Sequence, residues 1–153
     1  SDNKIPLSTV SKLIIIAKRM LHMPIELIDG IEETLKDLSK KYRLVMATKG
    51  DLLDQERKLI KSGLEKYFHH IEVMSDKTPR QYKKLIKHLD INPTEFLMIG
   101  NSMKSDILPV IDVGAFAIHI PFHTTWEYEK VSETLEHSNF KKLSYASDLL
   151  GLL

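Results

Sequence analysis

Arg43-Leu-Val-Met-Ala-Thr48, followed at once by Lys49-Gly50-Asp51, is the stretch on which the fold turns. Leu44 to Ala47 are apolar without alternation, the run has the length of a strand, and it stops on a hydroxyl and a turn. A continuously apolar strand needs cover on both faces, as in a parallel sheet between helices rather than a half-exposed antiparallel one.

Working outward, the flanks carry helical signals. Asp51 is placed to cap a helix that Gly63 closes. Upstream, Asp29 with Glu32 reads as a capping box ahead of a stripe of Ile31, Leu35 and Leu38. Downstream, Ile71-Glu-Val-Met74 is a second short strand. Thr78-Pro79 with Gln81 then starts a helix whose Tyr82, Leu85, Ile86 and Leu89 share one face. Glu95 to Ile99 is a third strand. After it come a glycine loop and a short helix ending at Gly114, then a fourth strand from Ala115 to Ile120 and an apolar helical tail from Ser147. Residues 8–22 read as one further helix, with Val10, Leu13, Ile14, Ala17, Met20 and Leu21 at helical spacing, and Pro24 breaks the chain after it. Strand–helix alternation of this kind predicts an α/β, Rossmann-like parallel sheet with helices on both faces.

A chain of 153 residues is long enough for a domain with its own core. Lys and Arg number 22 against 21 Asp and Glu, so wholesale binding to nucleic acid or an acidic membrane has no electrostatic support. There is no cysteine, which removes disulfides, thiolate metal sites and cysteine nucleophiles and fits a cytoplasmic setting. The apolar run Leu13–Ala17 is too short to span a bilayer.

In an open parallel sheet, ligands bind beyond the carboxyl ends of the strands. The residues there are Thr48 with Lys49 and Gly50, then Asp76-Lys77, then Gly100-Asn-Ser-Met-Lys-Ser-Asp106, then Pro121-Phe-His123. A hydroxyl, an ammonium and a carboxylate thus converge on one edge, in reach of one bound anion. Singly each has a plainer reading: Thr48 as a turn residue, Lys77 as a solvated charge, Asp106 as a helix cap, His123 as part of a structural turn. His119, alternating with Ile118 and Ile120, reads as a satisfied strand histidine.

The ordered set resembles the haloacid dehalogenase-like superfamily over about residues 25–153. The second motif of that family, a Thr or Ser ending a strand, is matched by Thr48. Its third, a Lys ahead of a helix, is matched by Lys77, and its fourth by Gly100-Asn101-Ser102 through Asp106. The resemblance implies a phosphatase of small phosphorylated metabolites, acting through an aspartyl-phosphate. In it Thr48, Lys49, Gly50 and Lys77 would hold the phosphoryl group, with Thr48 and Lys77 taking part in catalysis and His123 in substrate contact. Asn101 and Asp106 would lie at a Mg2+ site. Asn101 stands where most members carry aspartate, which weakens the expectation of Mg2+ because an amide oxygen has no charge.

The family's first motif, an apolar strand ending Asp-x-Asp, has no match. Glu26-Leu-Ile-Asp29-Gly30 comes nearest, but residue 31 is isoleucine. The expectation is therefore a core that lacks its central first strand, with residues 1–24 as a helical remnant of a cap domain and 25–153 as an incomplete core. Such a chain would be inactive alone and completed by a missing N-terminal segment or by a second copy. A haloacid dehalogenase-type hydrolase and a non-catalytic binding or regulatory module are the competing readings.

Overall fold

The structure, a computed structural model, describes residues 13–23, 26–121 and 135–153. Its strands are β1 (Leu13–Ala17), β2 (His22–Met23), β3 (Glu26–Leu27), β4 (Arg43–Thr48), β5 (His70–Val73), β6 (Phe96–Gly100), β7 (Phe116–His119) and β8 (Phe140–Lys142). The α-helices are α1 (Ile31–Ser39), α2 (Leu52–Ser62), α3 (Pro79–His88), α4 (Leu108–Asp112) and α5 (Leu149–Leu152). Six strands form one parallel sheet in the order β5-β4-β1-β6-β7-β8, and β2 and β3 make a separate antiparallel pair. This is the α/β, Rossmann-like arrangement expected from the alternation of elements. No helix among the described residues is long and apolar enough to cross a membrane.

Two linked expectations are corrected. Leu13–Ala17 is a strand, not part of a helix over 8–22, and it occupies the central place that the sequence reading left empty. It pairs with β4 from Leu13↔Arg43 to Ala17↔Ala47, and with β6 from Leu13↔Phe96 to Ile16↔Ile99. The edges of β4 and β6 are therefore satisfied within the chain. In the described part of residues 1–24, Leu13–Ala17 belongs to the same sheet as the core rather than to a helical cap remnant. Residues 8–12 of the expected helix lie outside the described residues.

The physical reason lies in the run itself. Leu13-Ile-Ile-Ile-Ala17 is apolar on every side, so it satisfies a helical and a strand pattern equally. Its three consecutive β-branched isoleucines favour the strand. Every residue of β1 is almost completely buried, so both faces of the sheet are covered there. Leu13 and Ile14 to Ile16 together contribute on the order of 6–12 kcal/mol of hydrophobic stabilisation, before the entropy of ordering them.

The helices begin where short polar side chains can take up free N–H groups. Asp51 accepts from the Asp54 amide at 3.0 Å, and Thr78 from the Gln81 amide at 3.3 Å. Gly63 ends α2 with φ 77°, a left-handed geometry that suits glycine. The capping box at α1 is corrected: Gly30, with φ 75°, is its N-cap, and no side chain caps it. Glu32 instead accepts the Tyr67 hydroxyl at 3.0 Å. β8 has no counterpart in the sequence reading; it is a three-residue edge strand with two lysines.

Candidate functional site

The strand order reverses direction at β1, with β4 to one side and β6 to the other. That is the point where loops diverge and leave a crevice at the carboxyl edge. A cavity of about 340 Å³ opens there, lined by Ala17, Lys18, Ala47, Thr48, Lys49, Lys77, Asn101, Ser102, Ser105 and Asp106. Thr48, Lys49, Lys77, Asn101 and Asp106, picked out from sequence, are thus brought to one place. Gly50 follows Lys49 in the turn with φ 106°, where a side chain would be strained, but it does not line the cavity. His123 lies outside the described residues.

Lys77 and Asp106 form the central ion pair. Lys77 Nζ donates to Asp106 Oδ1 at 2.7 Å, with side-chain exposures of 10% and 2%. The other carboxylate oxygen, Oδ2, accepts the Ser102 backbone N–H at 3.1 Å. Asp106 therefore does not serve as a helix cap. Ser102 does that work, its Oγ accepting from the Ser105 amide at 3.2 Å. Asp106 sits inside a single π-type turn, Met103–Ile107, whose widened backbone carries the carboxylate inward.

Gly100 makes this possible. A Cβ placed on it would lie 2.3 Å from Asp106 Oδ2 and 2.4 Å from Asp106 Cβ and Cγ. Only glycine leaves room for the carboxylate against the end of β6. Two buried neighbours fix the rest of the loop. Tyr82 donates its hydroxyl to the Ser105 carbonyl at 2.8 Å and stands edge-on to Phe96. His119 Nε2 bonds to the Asn101 carbonyl at 3.0 Å, which ties the end of β7 to the loop after β6. Burial, reinforced by the negative charge of Asp106, pushes the Tyr82 phenol far above its ordinary range.

Thr48 is 3% exposed, and its hydroxyl donates to the Lys49 carbonyl at 3.1 Å. Its lone pairs can still accept, and turning the hydroxyl toward an anion would exchange one hydrogen bond for another. Lys18 completes the lining and was not anticipated; a residue taken as part of a helix gave no reason to look for it at a strand end. It follows Ala17, whose partner across the sheet is Ala47, so Lys18 and Thr48 leave adjacent strands at the same level. Burial and the neighbouring Lys58 charge lower the Lys18 pKa, while Asp54 opposes them.

The donor set does not by itself suit a divalent cation. Asp106 is the cavity's only carboxylate among the described residues, and both its oxygens are engaged. Asn101 is neutral, and among the described residues no group of three His, Cys, Asp or Glu side chains could hold a metal ion. β1 ends at Ala17, Lys18 follows it, and neither supplies a carboxylate nucleophile.

The haloacid dehalogenase-like hydrolase family profile matches residues 6–114, more than half of the chain. The chain belongs to that family. A glyceraldehyde 3-phosphate phosphatase of Pyrococcus furiosus is 28% identical over 121 residues, 74% of this chain and 48% of that protein. A protein of the same name from Methanothermobacter thermautotrophicus is 33% identical over 92 residues, 56% of this chain and 40% of that protein. A crystal structure of a haloacid dehalogenase-like family hydrolase from Xanthomonas campestris superposes with TM-score 0.68 at 31% identity, covering 86% of this chain and 57% of that one. An uncharacterised protein from Listeria monocytogenes shares the fold with TM-score 0.71 at 19% identity, over 92% of this chain and 98% of that one. The chain spans about half the length, or less, of these two phosphatases.

Proposed function

We propose that this chain is the phosphate-holding part of a phosphatase of small phosphorylated metabolites. The observation that carries the reading is the convergence of Thr48, Lys49 and the Lys77–Asp106 pair on one cavity at the carboxyl edge of the sheet. A Thr hydroxyl and the N–H groups beyond it suit phosphoryl oxygens. An ammonium held at fixed position by a buried carboxylate offsets the charge that builds on those oxygens in the transition state. The phosphatases among the relatives support the same reaction class.

The reaction of the complete protein would go through an aspartyl-phosphate. A carboxylate oxygen attacks phosphorus as the bond from phosphorus to the alcohol oxygen breaks, and a second carboxyl group gives that oxygen its proton. Water, losing a proton to the same group, then attacks the acyl phosphate and releases inorganic phosphate and the free carboxylate. The described residues place no such carboxylate in the cavity, so this reading draws the nucleophile from outside them. Lys77 would hold the transferring group, and Asp106 would keep Lys77 in place. The requirement for Mg2+ belongs to that completed centre, whose added carboxylates would supply the charge that Asn101 lacks.

The test is p-nitrophenyl phosphate hydrolysis, with and without Mg2+, by this chain and by the protein as its gene encodes it. The expected result is no turnover by the chain and Mg2+-dependent turnover by the encoded protein, abolished by Lys77→Ala. Clear Mg2+-dependent turnover by the chain itself would overturn the reading.

A further inference from the structure

Three ammonium groups line the cavity: Lys18 from the end of β1, Lys49 from the turn after β4, and Lys77 ahead of α3. Against them the described lining offers one carboxylate, Asp106, which Lys77 already holds at 2.7 Å. Three positive charges against one negative leave the lining with two in excess. The remaining polar groups, Thr48, Asn101, Ser102 and Ser105, carry no formal charge. A divalent cation entering here would meet uncompensated ammonium groups and a carboxylate with no free oxygen. A dianion would meet cations and hydroxyls on several sides.

We propose that this chain binds a phosphoryl dianion directly and without a metal ion, with Lys18 as its third cationic ligand. The proposal deepens the phosphate-holding role above and rests on that reading of the cavity. It differs from it on the counter-charge: Lys18 stands where the sheet's central strand ends, so the positive charge a metal would bring is supplied by the polypeptide. The placement is fixed by the backbone. Ala17↔Ala47 sets Lys18 beside Thr48, and the Lys18 carbonyl accepts the Leu21 N–H at 3.0 Å, which holds the turn that follows. Lys18 is only partly exposed, next to Lys58 of α2, and a bound anion would relieve the repulsion between the two.

The experiment is titration of the chain with inorganic phosphate in excess EDTA at low ionic strength, followed by phosphorus NMR and by the thermal midpoint. Wild type is expected to bind and to gain stability. Lys18→Gln should weaken binding about tenfold, the loss expected for one charge-assisted contact, while keeping the wild-type circular dichroism spectrum. Lys58→Gln, outside the cavity lining, removes only a neighbouring charge and should weaken binding much less than Lys18→Gln, by about twofold or less, which separates a ligand from a general charge effect. Adding Mg2+ in place of EDTA should change the affinity little. Glycerol phosphate should displace the bound phosphate: at comparable concentration if monoesters are the natural ligand, at large excess if free phosphate is. No displacement, no binding in EDTA, binding that requires Mg2+, or a folded Lys18→Gln that binds like wild type would each overturn the proposal. None of those outcomes touches the hydrolysis test of the encoded protein, so the two readings fail separately.

Discussion

Asp106→Asn isolates the ion pair at the centre of the site with little change in shape. The amide can still accept the Ser102 N–H, now made by Asp106 Oδ2 at 3.1 Å, but it cannot neutralise Lys77, which stands 2.7 Å from Oδ1. Lys77 has only 10% of its side chain exposed, so water replaces little of what is lost. Removing one partner of a buried pair leaves an uncompensated charge and costs about 3–5 kcal/mol. In a domain of this size that lowers the thermal midpoint by roughly 6–20 °C. Urea unfolding of wild type, Asp106→Asn, Lys77→Met and the double variant completes a thermodynamic cycle. In the double variant neither charge is left stranded, so its loss should fall short of the sum of the single losses by about 1–3 kcal/mol. A single Asp106→Asn within about 1 kcal/mol of wild type, or additive losses within about 0.5 kcal/mol, would refute the view that the pair is buried and mutually dependent.

Two further outcomes follow from the same loop. Gly100→Ala puts a methyl group 2.3 Å from Asp106 Oδ2, and relief requires moving the carboxylate off Lys77; a loss of about 3 kcal/mol or more is expected, combining overpacking with a broken pair, and urea unfolding close to wild type would contradict it. Tyr82 favours its protonated phenol in the folded state, so its contribution is complete below pH ~10 and is lost as pH rises beyond that. In an alkaline titration, comparison with Tyr82→Phe should assign to Tyr82 a tyrosinate signal that appears only as the fold is lost; ionisation near the ordinary value in folded protein would show that the ring is not buried as described.

What sequence could reveal followed from where parallel strands end. Thr48, Lys77, Asn101 and Asp106 were legible because each comes just after an apolar run, or ahead of a strongly signalled helix, and the sheet gathers such positions onto one edge. Gly100 was legible as a loop glycine, but the need for it, a carboxylate pressed against its Cα, is a tertiary fact. β1 was not legible from periodicity, because Leu13-Ile-Ile-Ile-Ala17 matches both patterns; its three isoleucines lean toward a strand, and the place between β4 and β6 completes the choice. Lys18 was lost with it. The cap of α1 failed for a local reason: Asp29 and Gly30 both suit a helix start, and the chain turns at the glycine with φ 75°. β8 was too short and too rich in lysine to stand out from a loop.

The central strand also sets the order in which the molecule can assemble. β1 lies early in the chain, yet one of its neighbours, β6, begins only at Phe96. At ordinary rates of synthesis, on the order of ten seconds pass between the appearance of Leu13 at the ribosome and that of its last partner. For that interval the most apolar pentapeptide of the sequence has one neighbour at most, and any other strand edge in the cell can compete for it. Folding of this chain is therefore exposed to aggregation during its own translation, at the segment that afterwards joins the two halves of the sheet.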